Sequence, residues 1–185
     1  MLFLKISEQF LSEKKIAILI IILIIGGIFF TPVISVLAIS SRKNPVQRVY
    51  SVDGYKNGFI ISYTHSVNKG RVKDFYTVND NRELLCDATI FVSYGAGIPE
   101  PQDFPNAVFE NTKDGYKITN INRISKTLTA AVGIIANHAI TILKSSDSNS
   151  DFTEYFFTDF FEPQTSVILQ IKRVSFIDYI FHKID

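Results

Sequence analysis

Residues Phe59 to Val78 read FIISYTHSVNKGRVKDFYTV, and the fold of the chain follows from how these twenty positions are divided. From Gly58 to His65, Phe59, Ile61 and Tyr63 alternate with Ile60, Ser62 and Thr64. Side chains repeating every two residues, rich in β-branched and aromatic types, suit a strand with two different faces. Asn68-Lys69-Gly70 interrupts the pattern, and its glycine is expected to take the left-handed conformation that a short hairpin loop needs. Arg71 to Val78 then resumes the alternation with Val72, Phe75, Tyr76 and Val78. The unit is a β-hairpin.

Working outward, Asp80-Asn81 marks a second turn and Glu83 to Tyr94 a third strand, so the hairpin extends into an antiparallel meander. Further strands are predicted at Val46 to Val52, Tyr116 to Ile121, Lys126 to Val132, Ala139 to Lys144 and Val167 to Val174. Short strands separated by turn residues indicate a mainly β fold, an antiparallel β-sandwich or partly closed β-barrel. FTEYFFTDFF at Phe152 to Phe161 fits either strand or helix, and its Tyr155, Phe156, Phe157, Phe160 and Phe161 are assigned to the core before a contact surface. Ile177, Ile180 and Phe181 recur at helical spacing. They predict a short closing helix over Phe176 to Ile184.

On the other side of the hairpin, Ile16 to Ile39 reads IAILIIILIIGGIFFTPVISVLAI without a charge, flanked by Lys14, Lys15, Arg42 and Lys43. As one helix it would be roughly 36 Å long, enough for a hydrocarbon core of about 30 Å. The expectation is a cytoplasmic head over 1–15, a transmembrane signal-anchor helix over 16–39 and an extracytoplasmic β domain over 40–185, a single-pass protein of the cell membrane. Lys and Arg are nearly tied between the flanks, so the orientation rests on the short head preceding the span. Ala38 and Ser40 also allow a signal peptide cut before Ser41, although the apolar run is longer than the usual core of such a peptide. The adjacent Gly26 and Gly27 lack the GxxxG spacing of helix dimers.

The whole chain holds 19 Lys and Arg against 18 Asp and Glu, and a single cysteine. No basic cluster suggests nucleic acid as a partner. One cysteine, Cys86, excludes an intramolecular disulfide and cysteine-rich metal sites. The β region is long enough to fold on its own apolar core. No cofactor is expected.

Two segments carry a resemblance. Tyr63-Thr64-His65-Ser66-Val67 within the hairpin, and Gly95-Ala96-Gly97 within FVSYGAGIPEP at Phe91 to Pro101, are similar to the bacterial family called domain of unknown function 1850. VGIIANHAITIL at Val132 to Leu143 also resembles the family's C-terminal part. The resemblance implies a small β-rich exported or anchored protein, often encoded beside tripartite ATP-independent periplasmic (TRAP) transporters of the TAXI subtype. TRAP subunits are thus the implied partners. The acidic residue that the family carries after its His-Ser-Val element is replaced by Asn68-Lys69-Gly70, with Asp74 as a substitute on the returning strand.

Candidate ligand- or partner-binding residues are His65, Ser66, Asp74, Tyr94, Gly95, Gly97, Glu100 and His138. His65 ends a strand where Asp74 could lie across the hairpin, an imidazole and carboxylate able to share a proton or hold a metal; the bland alternative is a ring bonded to its own turn. Ser66 follows His65 and so faces the other side of a strand, and no GxSxG elbow is present, which disfavours a nucleophile. Gly95-Ala96-Gly97 exposes backbone donors able to nest an anion, with Tyr94 and Glu100 as polar neighbours, but lacks the Walker lysine. His65, His138 and Asp74 or Glu100 are ligand types zinc accepts, without a close metal motif. Asp147 to Asp151 spaces oxygens like a calcium loop but lacks its sixth-position Gly and twelfth-position Glu.

The resemblance implies an accessory to a TRAP-type solute transport system, and the residues fit ligand or partner binding better than catalysis. The competing classes are a metal-assisted hydrolase and a structural envelope protein without a ligand.

Overall fold

The structure is a computed structural model that describes residues 2–93, 100–113, 115–144 and 152–184. Its elements, in chain order, are α1 (Leu2–Phe30), β1 (Ile34–Ser41), β2 (Arg48–Ser51), α2 (Val52–Lys56), β3 (Phe59–Thr64), β4 (Arg71–Val78), β5 (Leu84–Phe91), β6 (Val108–Thr112), β7 (Gly115–Thr119), β8 (Arg123–Ser125), β9 (Thr127–Ala131), β10 (Ala139–Leu143), β11 (Phe152–Phe156), β12 (Ser166–Val174) and α3 (Phe176–His182). Two compact units result, one of 1–34 with 173–181 and one of 35–172 with 182–185.

The first unit contains α1, whose described side chains from Ile16 onward are largely exposed, and the ring of Phe29 meets Phe176 edge-on at 5.4 Å. The expected transmembrane helix over 16–39 is not what forms. Among the described residues, no helix is long and apolar enough to cross a membrane. The helix stops at Phe30 before Thr31-Pro32, and its uncharged part from Ile16 spans only roughly 22 Å, short of a hydrocarbon core of about 30 Å. The rest of the apolar run is β1, with Val36, Leu37, Ala38 and Ile39 at most 1% exposed. Proline explains the break: it restricts the residue before it and cannot continue the hydrogen-bond ladder of a helix.

In the second unit β1 belongs to a four-stranded sheet of order β2-β1-β12-β9, with β1–β2 and β9–β12 antiparallel. An eight-stranded antiparallel sheet runs β11-β10-β3-β4-β5-β7-β6, with β8 pairing β5. One core joins Leu37, Ile39, Val167 and Leu169 of the smaller sheet to Phe59, Ile61, Leu84 and Ile142 of the larger one. The β part is therefore a sandwich, its apolar faces turned toward each other. A second cluster of Val72, Phe91, Ile118 and Ile121 packs with Tyr63 and Tyr116 farther along the larger sheet.

Most predicted strands form within a residue or two of their expected ends, and α3 is the closing helix. Phe152 to Phe161 divides into β11 and a 3-10 turn, with Phe157 and Phe161 buried and Phe152 exposed. The hairpin differs in one respect: Lys69, at φ 58°, is the left-handed residue, and Gly70 is needed for closeness instead, since a Cβ there would lie 3.0 Å from that of Val92. The short α2 was not expected. Ser51 starts it by accepting a hydrogen bond from the Gly54 amide at 2.7 Å.

Candidate functional site

Strand β4 presents Arg71, Lys73 and Phe75 to one face of the larger sheet and Val72, Asp74 and Tyr76 to the other, because strand side chains alternate. The ladder then fixes their neighbours. On the inner face, one row runs Ile61, Asp74, Thr89, Ile118, flanked by Tyr63, Val72, Phe91, Tyr116 and by Phe59, Tyr76, Cys86, Arg123. Asp74 is thus a carboxylate set among apolar and aromatic side chains between the two core clusters. It accepts a hydrogen bond from the Thr89 hydroxyl at 2.7 Å. Burial pushes its carboxyl above the usual range, against the smaller opposing effects of Thr89 and Arg123. Burial also raises the Tyr63 phenol, assisted by Asp74, and pushes the Cys86 thiol up to about 11.

His138 stacks on Tyr63 with ring centroids 5.4 Å apart, so two predicted residues, Asp74 and His138, do flank one side chain. Burial first, and Arg71 second, lower the His138 pKa, which keeps the ring neutral at pH 7. Its Nδ1 is buried with no hydrogen-bond partner among the described residues.

His65 does not pair with Asp74, which lies opposite Ile61 in the ladder. Its ring belongs to the turn: Nδ1 accepts from the amides of Val67 at 3.3 Å and Asn68 at 3.5 Å, and its backbone amide donates to the Gly70 carbonyl. Ser66 is exposed, and its carbonyl accepts from Lys69 Nζ at 2.7 Å. The turn is fastened to the end of β5 by Asn68 Nδ2, which donates to the Ser93 carbonyl at 2.7 Å. Tyr94, Gly95 and Gly97 lie outside the described residues, as does the stretch Asp147 to Asp151. Glu100 is exposed, and its amide donates to Asp103. Among the described residues, no group of three or more His, Cys, Asp and Glu side chains gathers as a metal site would require.

The outer face holds what residue patterns did not single out. A groove of about 870 Å³ crosses β3, β4, β5 and β7, with Ile60, Phe75, Ala88 and Ile90 as its apolar floor and Arg71, Lys73, Lys117 and Asp87 as its charges. A bulge creates this floor. Phe75 pairs with Ala88 but Tyr76 pairs with Cys86, so Asp87 is the extra residue and the phase of β5 reverses there. Leu84, Cys86, Thr89 and Phe91 consequently face inward, leaving Ala88 and Ile90 outward. Arg71 is already engaged: it donates to Ser62 Oγ at 2.6 Å and the Asn137 carbonyl at 2.7 Å, and meets Glu154 at 3.5 Å.

A β-sandwich with a grooved larger sheet is the class of domain these features define. Residues 59–147 match the family described as Domain of unknown function (DUF1850), and the chain carries a domain of that family. The match begins at β3 and therefore omits β1 and β2. No curated protein and no solved structure matches the chain.

Proposed function

We propose that the domain is a binding accessory of a TRAP-type solute transport system, acting outside the cytoplasm and without catalysing a reaction. The observation that carries this reading is the groove on the outer face of β3, β4, β5 and β7, concave and apolar with charged side chains at its edge, the usual make-up of a small-molecule site. The transport context comes from the family resemblance. The His65 to Gly70 turn adjoins one end of the groove, since Gly70 packs on Val92, which lines it, and Asn68 bonds to Ser93. We assign His65 and Ser66 to the turn beside the groove and Asp74 to the opposite face of β4 as its support, with His138, just ahead of β10, stacked on Tyr63 of β3. Catalysis is disfavoured by the engagement of His65 Nδ1 with the amides of its own turn.

Deleting the gene should slow uptake by the associated transporter, wild-type chain should restore it, and a transporter subunit should remain bound through detergent purification. Unchanged uptake together with no retained subunit overturns the reading.

A further inference from the structure

We infer that the outer groove receives a small organic carboxylate with an apolar body, its carboxylate held between Lys73 and Lys117. This rests on the binding role proposed above and adds its ligand class. Lys73 pairs with Ile90 and Ile90 with Lys117, so the two lysines stand in one row on either side of an isoleucine. Two strand spacings separate their Cα atoms by about 10 Å, within which two flexible four-carbon stems can bring both ammonium groups onto one carboxylate. Neither lysine makes an ion pair among the described residues. Both ammonium groups are therefore available to a ligand.

The apolar body has its place in the next row, where Ile60, Phe75 and Ala88 follow one another across the strands. Alanine between larger residues leaves the depression that the groove occupies. Asp87 lies three residues along β5 from Ile90, roughly 10 Å at strand rise, so the negative charge is at the far end of the floor. Charge thus divides along the groove, positive at the Ile90 row and negative beyond Ala88. Glu110 is the carboxylate opposite Lys117 on the edge strand β6, and it is exposed. It weakens the positive end without filling it. A cation would meet two lysines at that row, and a neutral chain would leave both without a counter-charge.

The test uses the full chain labelled with nitrogen-15 and three probes of one apolar body: hexanoate, hexanol and hexylammonium. Hexanoate should bind saturably at millimolar concentrations and shift amides of β4, β5 and β7. Hexanol and hexylammonium should bind at least tenfold more weakly. Lys73→Ala and Lys117→Ala should each weaken hexanoate roughly tenfold with the amide spectrum otherwise retained, Lys117→Arg should preserve binding, and Glu110→Gln should tighten it. Inorganic phosphate should compete weakly, because it lacks the apolar body. Equal binding of hexanol or hexylammonium, or hexanoate shifts that persist in both lysine variants, overturns the inference. Uptake assays separate it from the accessory role: a gene needed for uptake whose product ignores hexanoate loses the ligand class alone, and hexanoate binding with unaltered uptake loses the accessory role alone.

Discussion

Asp74 shows how one residue can be visible in a sequence and misread there. As an acid near a histidine it suggests a proton-sharing pair, but the ladder sets it across from Ile61 and Thr89 on the inner face. Burial raises its folded pKa above the unfolded value of about 3.9, so ionisation costs more in the fold than out of it. That cost is fully present above the folded pKa, diminishes as pH falls through it, and vanishes below the unfolded pKa. Asp74→Asn, which keeps an acceptor for Thr89, should therefore gain thermal stability over wild type at pH 7.5 and lose most of that advantage by pH 4. A melting-temperature difference that stays constant between the two pH values would contradict this. Cys86 makes a second test. With its thiol at about 11, roughly a thousandth is thiolate at pH 8, and the side chain is 2% exposed. Reaction with an aromatic disulfide reagent should be about a hundredfold or more slower in the native protein than in guanidinium, whereas equal rates would mean the inner face is open to the reagent.

The strands themselves were legible because alternation is local: β3 and β4 follow directly from the spacing of Phe59, Ile61, Tyr63, Val72 and Tyr76. Their faces were less so. In LLCDATIF, strict alternation puts Ala88 and Ile90 on the same side as Leu84 and Cys86, yet the bulge at Asp87 sends them to the groove. A bulge depends on what the neighbouring strand offers, here the close β4 ladder, and leaves no mark in the pattern. β8 was missed for a related reason, being only three residues that pair with β5. The entry to β3 has its own constraint. Gly58 sits at φ 92°, and a Cβ there would come 2.5 Å from the Tyr76 carbonyl oxygen. Gly58→Ala should cost roughly 2 kcal/mol or more, lowering the urea midpoint without changing the slope of unfolding. An unchanged midpoint would show that this corner gives way.

At the scale of the molecule, the apolar run from Ile16 to Ile39 matters most. Its second part forms β1, which pairs with β2 and contributes Leu37 and Ile39 to the core. Leu37→Ala in the purified full chain should cost about 3 kcal/mol, since the side chain is fully buried between two sheets. A lipid-facing or leader residue would leave the unfolding of the β domain unaltered, and that outcome would reinstate a separate segment. A cut before Ser41 would likewise remove nearly all of β1 and leave the β2 and β12 neighbours without it.

By itself the sequence determined the mainly β character, the central hairpin, the short closing helix and the family, because strand alternation, turn residues and short motifs are properties of neighbours along the chain. The tertiary structure alone decided that Ile34 to Ser41 is a strand and not the end of a membrane helix, that Asp74 lies inside and away from His65, and that Lys73 and Lys117 bracket Ile90 over a groove. The physical reason is common to all three. An apolar or charged residue has a fixed appetite for burial or counter-charge, but which surface satisfies it depends on strands brought alongside from elsewhere in the chain.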